Sequence, residues 1–87
     1  MPDETILLKS LTGKIIKTLR IKNNMNQEDL AFACNVDRSY ISMLERGLNE
    51  PSLTKIFDIS KALNITPSQF VKMVELEHER MKNLEDM

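Results

Sequence analysis

The apolar residues of the chain recur at intervals of three and four positions, which is the spacing of one face of an α-helix. Five stretches follow this pattern, so we predict five helices joined by short loops. The first helix runs from Ser10 or Thr12 to Lys22 and buries Leu11, Ile15, Ile16 and Leu19. Only two glycines and three prolines leave little room for the turns of a β-protein, so an all-α fold is favoured.

A very short connection separates the second and third predicted helices. The second opens with Asn26 as its N-cap and ends at Asn35, a residue type that tolerates the left-handed conformation. Asp37 caps the third helix, which runs to about Arg46 before Gly47 ends it. Helices joined so closely must cross sharply, and this arrangement is the helix-turn-helix whose second helix enters the major groove of DNA.

Two further helices complete the prediction. The fourth starts at Pro51 or Ser52, and its apolar stripe consists of Leu53, Ile56, Phe57, Ser60 and Leu63. The fifth starts at a capping box formed by Thr66 and Gln69. It runs to about Leu84, well past the length that a small domain needs.

The charges divide the chain into three parts. We expect an N-terminal extension over residues 1–9, a DNA-binding domain over residues 10–75 and an acidic extension of the fifth helix over residues 76–87. The net charge is −1, but residues 9–74 hold ten Lys or Arg against six Asp or Glu, a net of +4. A basic centre with acidic ends is compatible with a DNA surface kept away from both termini.

The composition argues against several other classes of protein. A single cysteine, Cys34, leaves no internal disulfide or multi-cysteine metal site, and it suits a reducing cytoplasm. No apolar run approaches 18 residues, so we expect no membrane span, and Asp3 and Glu4 stand where an export signal carries positive charge. His78 has no nucleophile predicted beside it, so we expect no enzyme, cofactor or metal.

The third predicted helix has two different faces. Ile41 and Leu44 point to the core, while the opposite side carries Arg38, Ser39, Ser42, Met43 and Arg46. An ordinary solvated face explains such a polar set. A DNA-reading face is the other explanation, because an arginine can bind O6 and N7 of guanine with two hydrogen bonds.

A longer segment decides between these explanations. NQEDLAFACNVDRSYISMLERGLNEPSLTKIFDISKALNITPSQF closely resembles the Cro and phage-repressor type of helix-turn-helix domain, the XRE family. The resemblance covers about residues 13–74, and its marks include the runs YIS..ER, PSL and ALNI together with Arg20, Gln27 and Ala31. It implies a lambda-repressor-like bundle of five helices, with helix-turn-helix at helices 2 and 3, that acts as a homodimer on a two-fold-related operator. The short length and the run DRSYIS also resemble controller proteins of restriction–modification systems.

The resemblance assigns roles to individual positions. Base contacts are expected from the recognition helix, at Arg38, Ser39, Ser42 and Met43. Phosphate contacts are expected from Gln27, Asn26, Tyr40, Arg46 and Asn49, with main-chain N–H groups of Met25 and Asn26 assisting. A partly buried ion pair between the first and third helices is expected from Arg20 and Glu45. The family often has lysine or arginine after the glycine, where this chain has Leu48, Asn49 and Glu50, and Glu50 would repel phosphate. Non-specific affinity should therefore be modest, with a shallower salt dependence than in more basic relatives.

The sequence defines the dimer surface less well. Candidate residues are Phe70, Val74, Ile6 and Leu7, while a frayed, solvated end of the fifth helix is the alternative. The whole chain also has an alternative function, as a protein-interaction module that acts as a bridging factor or a toxin-neutralising antitoxin. Such a module has no need for Arg38 and Ser39 on an exposed face. The operator sequence, the choice between activation and repression, and a contact with RNA polymerase or a partner protein stay open.

Overall fold

The computed structural model describes residues 3–85, and in this range the chain is helical with no strand. The helices are α1 (Glu4–Lys22), α2 (Gln27–Ala33), α3 (Arg38–Glu45), α4 (Leu53–Ala62) and α5 (Pro67–Glu85). The prediction of an all-α chain with five helices and a helix-turn-helix at the second and third is therefore confirmed.

Each helix starts at a polar residue whose side chain accepts a hydrogen bond from a backbone N–H of the first turn. These residues are Asp3, Asn26, Asp37, Ser52 and Thr66. The caps fix where the helices begin, because the first N–H groups of a helix have no partner within it. The predicted capping box at the start of α5 is formed, since Gln69 also accepts a 2.8 Å hydrogen bond from Thr66 N.

The first helix begins about two turns earlier than the hydrophobic pattern predicted. α1 starts at Glu4, not at Ser10 or Thr12, so most of the expected N-terminal extension is helical. Asp3 caps this start because its carboxylate accepts a 2.7 Å hydrogen bond from Thr5 N. The buried face of α1 begins further along the helix, which is why the apolar pattern placed the start too late.

Four helices end on a residue with positive φ, three of them on asparagine. The angles are 59° at Asn24, 55° at Asn35, 73° at Gly47 and 62° at Asn64. The N–H of the following residue then donates to a carbonyl five residues back, as Val36 does to Ala31 at 3.0 Å. This closure turns the chain sharply. The endings predicted at Asn35 and Gly47 are confirmed, and α2 and α3 cross within a few residues.

The core lies where the five helices meet. Its buried residues come from every helix and from the end of α2: Ile16, Leu19, Leu30, Ala31, Cys34, Ile41, Leu44, Ile59, Leu63 and Phe70. Val36 packs against them from within the turn between α2 and α3. Burial raises the pKa of the Cys34 thiol, which therefore stays protonated at neutral pH. The helix-turn-helix is thus fixed to the rest of the fold by a shared apolar centre.

The structure contradicts Phe70 as a dimer-interface residue. Its side chain is 1% exposed and lies in the core, so it has no surface to offer a second copy. Val74 is half-buried and packs against the same core, whereas Ile6 is exposed and Leu7 half-buried. The sequence pattern could not separate these cases, because a core residue and an interface residue are both apolar residues on one helix face.

The apolar stripe of α4 also faces differently from the prediction. Ile59, Ser60 and Leu63 are buried, but Leu53 and Phe57 are 70% and 56% exposed. These two residues are spaced by four, so they lie on one face of the helix. We call these two exposed residues the α4 apolar pair.

Gly13 allows α1 to approach the end of the recognition helix closely. A Cβ atom at this position would collide with the carbonyl oxygen of Leu44 and would lie 2.9 Å from that of Glu45. The carbonyls of the last turn of α3 therefore pack directly on the backbone of α1. The position of α3 depends on this contact.

Candidate nucleic-acid interface

The third helix presents its first turn to solvent. Arg38 and Ser39 are exposed, while Ile41 and Leu44 are fully buried. Asp37 starts the helix, and its side chain accepts a hydrogen bond from Ser39 N at 3.0 Å. The buried Ile41 and Leu44 and the exposed Arg38 and Ser39 lie on the sides predicted from the sequence, so the first turn of α3 is accessible to a large ligand.

The hydroxyl of Ser39 is already engaged by the cap of its own helix. It donates to the same Asp37 carboxylate oxygen that accepts its backbone N–H. These two hydrogen bonds lower the pKa of Asp37, with the hydroxyl contributing most. The hydroxyl oxygen keeps its lone pairs, so Ser39 can accept a hydrogen bond from a base without leaving Asp37.

The other residues predicted on this surface are less accessible, apart from Arg46. Ser42 and Met43, one turn beyond Arg38, are half-buried, and so is Asn49 in the loop after α3. Tyr40 packs partly against the core, and burial raises the pKa of its phenol, which therefore remains a hydrogen-bond donor at neutral pH. Arg46 is exposed at the C-cap of α3. The most accessible cations of the recognition helix are thus at its two ends.

Arg20 and Glu45 form an ion pair that joins α1 to α3. Arg20 Nε lies 2.6 Å from Glu45 Oε2, and Arg20 Nη2 lies 3.1 Å from Oε1. The side chains are only 10% and 3% exposed. The hydrogen bond to Glu45 raises the pKa of Arg20, so the guanidinium keeps its positive charge. Arg20 Nη1 also donates to Met25 O at 2.8 Å, which holds the turn before α2.

Gln27 connects this ion pair to the exposed arginine of α3. Its Nε2 donates to Glu45 Oε1 at 3.1 Å, and its Oε1 accepts from Arg38 Nη1 at 3.0 Å. The sequence marked Gln27 only as a phosphate contact, so this link was missed. Its partners lie 11 and 18 residues away, and no local signal in the sequence could have identified them.

Asn26 is occupied by its role as the cap of α2. Its side-chain oxygen accepts from Asp29 N at 2.7 Å, while its own N–H donates to Asp29 Oδ2 at 2.9 Å. Met25 N donates to Arg20 O at 3.1 Å. The main-chain N–H groups of Met25 and Asn26, which the sequence offered to phosphate, are therefore already bonded within the protein. A phosphate contact from Asn26 has to use its side-chain NH₂ group.

A shallow polar depression of about 590 Å³ lies between the starts of α2 and α3. It is lined by Arg20, Asn26, Gln27, Glu28 and Arg38. Three of the predicted DNA contacts are therefore brought together here, while Ser42, Met43 and Asn49 lie outside its lining. Arg38 thus lines this depression and also belongs to the exposed first turn of α3.

Other kinds of site find no support within residues 3–85. None of the helices in this range has a stretch long and apolar enough to cross a lipid bilayer. Across the same residues, no three His, Cys, Asp or Glu side chains are grouped closely enough to bind a metal ion.

A sharply turned helix pair with an exposed arginine at the start of its second helix defines a helix-turn-helix DNA-binding domain. The chain matches the Helix-turn-helix family over residues 16–70, which is more than half of its length, and it belongs to that family. The XRE-type resemblance read from the sequence is therefore confirmed.

Relatives of the chain include control proteins of restriction–modification systems. The control protein C.BamHI of Bacillus amyloliquefaciens is 43% identical over 65 residues, which cover 74% of this chain and 80% of that protein. The controller protein C.AhdI of Aeromonas hydrophila is 35% identical in its crystal structure, with a TM-score of 0.69 over 71% of this chain and 94% of that one.

A third relative has been solved on DNA. The controller protein C.Esp1396I forms a tetramer in complex with its natural 35-base-pair operator. Its structure is 36% identical to this chain, with a TM-score of 0.73 over 80% of this chain and 92% of that one. These relatives place the chain among helix-turn-helix transcription regulators and do not favour the alternative of a protein-interaction module.

Proposed function

We propose that the chain is a homodimeric, sequence-specific regulator that binds a two-fold-related operator, in the manner of a restriction–modification controller. The observation that carries this proposal is the exposed Arg38 at the first turn of α3, held at the start of α2 by Gln27. The names of the relatives support the controller role. The regulator works in the cytoplasm, where the DNA lies, and the proposal includes no cofactor and no catalytic step.

Base recognition is assigned to the exposed turn of α3. Arg38 donates two hydrogen bonds to O6 and N7 of a guanine, and Ser39 accepts from a base amino group. Ser42 and Met43 are half-buried, so they contribute only where the groove wall comes close. Met43 offers an apolar contact, for example to a thymine methyl.

Phosphate contacts are assigned to side chains around this turn. Arg46 at the end of α3 and the phenol of Tyr40 donate to phosphate oxygens, with Asn49 beyond them. Asn26 contributes its side-chain NH₂. Gln27 donates one N–H of its NH₂ group to Glu45 and accepts from Arg38 with its oxygen, so its second N–H is the donor assigned to phosphate. These contacts fix the register of the domain on the duplex without reading its sequence.

The dimer surface is assigned to the α4 apolar pair, Leu53 and Phe57, instead of Phe70. A second copy of this chain is the proposed occupant, because a relative assembles as a tetramer on its operator and two exposed apolar side chains on one helix face favour burial. Ile6, which is exposed on α1, remains a separate candidate. Leu7 on α1 and Val74 on α5 are half-buried and offer less surface. Contact with RNA polymerase or another protein remains a prediction.

Selection of binding sites from random double-stranded DNA tests the proposal. We expect the purified protein to enrich a two-fold-related site whose half-sites are centred about 34 Å apart, one helical turn, or a multiple of it. The Arg38→Ala variant serves as the comparison and should lose the preference at one guanine of each half-site. Enrichment of no site, or of an unpaired half-site alone, would contradict the proposed function.

A further inference from the structure

We propose that the buried Arg20–Glu45 pair sets the direction of the Gln27 amide and thereby positions Arg38 for base recognition. Gln27 and Glu45 are then positioning residues for sequence discrimination, in addition to any structural or phosphate-binding role. This inference rests on the proposed function, because it concerns how the side chain that reads DNA is held.

The first step of the argument is the polarity of the hydrogen bonds. A guanidinium only donates hydrogen bonds and a carboxylate only accepts them. Glu45 therefore requires the NH₂ end of the Gln27 amide, and the carbonyl end is left to accept from Arg38. A flipped amide would place two acceptors together at Glu45 and two donors together at Arg38. Only one direction of the amide satisfies both neighbours.

The second step is the difference in mobility along the chain of contacts. Arg20 and Glu45 are nearly buried and are bonded to each other at two points, and Arg20 is bonded to Met25 O as well. Gln27 is half-buried and Arg38 is exposed. The rigid end of the chain of contacts therefore lies in the protein interior and the mobile end lies at the surface.

The third step is the effect on binding. A free surface arginine samples many rotamers, and this freedom is lost when it binds a base. Bonding to Gln27 restricts Arg38 before DNA arrives, so less freedom is lost on correct docking. The same anchor limits how far Arg38 can move to suit a different base pair, which sharpens discrimination as well as affinity.

The Gln27→Met variant tests the middle of this chain of contacts. It keeps the length of the side chain and leaves the Arg20–Glu45 pair intact, but it removes both hydrogen bonds of the amide. We expect discrimination between the selected site and a site lacking the guanine read by Arg38 to fall several-fold. In the Arg38→Ala background the same change should leave discrimination unaltered, because nothing remains to be positioned.

A phosphate contact alone would give a different result. Loss of such a contact weakens binding to all sequences by the same factor and leaves the ratio of affinities unchanged. If Gln27→Met lowers both affinities equally while Arg38→Ala abolishes discrimination, the positioning role is wrong and the proposed function stands. If Arg38→Ala itself keeps full discrimination, the assignment of the base-reading residue fails, and the positioning role fails with it.

A swap of side chains tests the buried end and separates positioning from folding. Glu45→Gln alone removes the buried carboxylate that requires the NH₂ end of the Gln27 amide. Only the mobile Arg38 then favours one direction of the amide, so discrimination should fall. In the double variant with Gln27→Glu, the new carboxylate at position 27 accepts from Arg38 and also from the new amide NH₂ at position 45. The net charge of the protein is unchanged. We expect the swap to recover most of the discrimination ratio, although the new carboxylate weakens overall affinity by repelling phosphate. Recovery of thermal stability without recovery of the ratio would overturn the proposal.

Discussion

Charged residues that look alike in the sequence around α3 have different surroundings in the structure. Arg38 and Arg46 are exposed at the two ends of the helix, whereas Glu45 is buried against Arg20. The ion pair between Arg20 and Glu45 was predictable, because both residues occupy positions that the family resemblance assigns to such a pair. The bonds of Gln27 to both Glu45 and Arg38 were not, because they depend on where three separate helices and turns meet.

Removal of the guanidinium of Arg20 should strongly destabilise the fold. In Arg20→Met the Glu45 carboxylate is left buried without its cation, and we expect the free energy of unfolding to fall by about 3–5 kcal/mol. Urea denaturation followed by circular dichroism measures the change. The matched control is Lys55→Met, which breaks a more exposed pair with Asp58 and should cost less than about 1 kcal/mol. Equal effects of the two changes would contradict the structural role of Arg20.

Helix boundaries followed from local chemistry, whereas helix packing did not. Capping residues and left-handed asparagines act within a few positions, so the starts of α2 and α5 and the turn at Asn35 were predictable. The start of α1 was misplaced, because its cap at Asp3 precedes the buried stripe. The exposure of Leu53 and the burial of Phe70 depend on how neighbouring helices pack. A helical wheel of a single helix carries no information on that packing.

The close approach of α1 to α3 leads to a prediction about Gly13. Gly13→Ala improves helix propensity by about 1 kcal/mol, but its methyl group collides with the end of α3. Overpacking of this kind typically costs about 1–3 kcal/mol, and we expect a net loss of stability together with weaker operator binding. Lys17→Ala, on the exposed side of α1, is the control and should leave both unchanged. A Gly13→Ala protein as stable as the wild type would refute the close packing.

At the scale of the whole molecule, two exposed aromatic residues provide a matched test of the dimer surface. Phe57 belongs to the α4 apolar pair, while Phe32 lies on α2 and is 89% exposed. The family and fold were predictable from the sequence, but the surface between copies was not, since only the structure separates exposed apolar residues from the core.

The variant Phe57→Asp should therefore be monomeric, because a charge would have to be buried between the two copies. Phe32→Asp introduces the same charge elsewhere and should remain dimeric. Sedimentation equilibrium at micromolar concentration measures both, and circular dichroism checks that each variant is folded. The assignment of the interface to α4 would be wrong if the Phe57 variant were dimeric, or if only the Phe32 variant were monomeric.

The central claim is that Arg38 reads DNA sequence, and quantitative gel-shift measurements test it most directly. The affinities of wild type, Arg38→Ala and the control Arg80→Ala are compared on the selected operator and on an operator with the contacted guanine replaced. We predict that in Arg38→Ala the ratio of the two affinities falls by about 5- to 150-fold, the range given by one bidentate arginine–guanine contact. Arg80, an exposed arginine of α5, should be replaceable without effect. Wild-type discrimination in the Arg38→Ala protein would contradict the account.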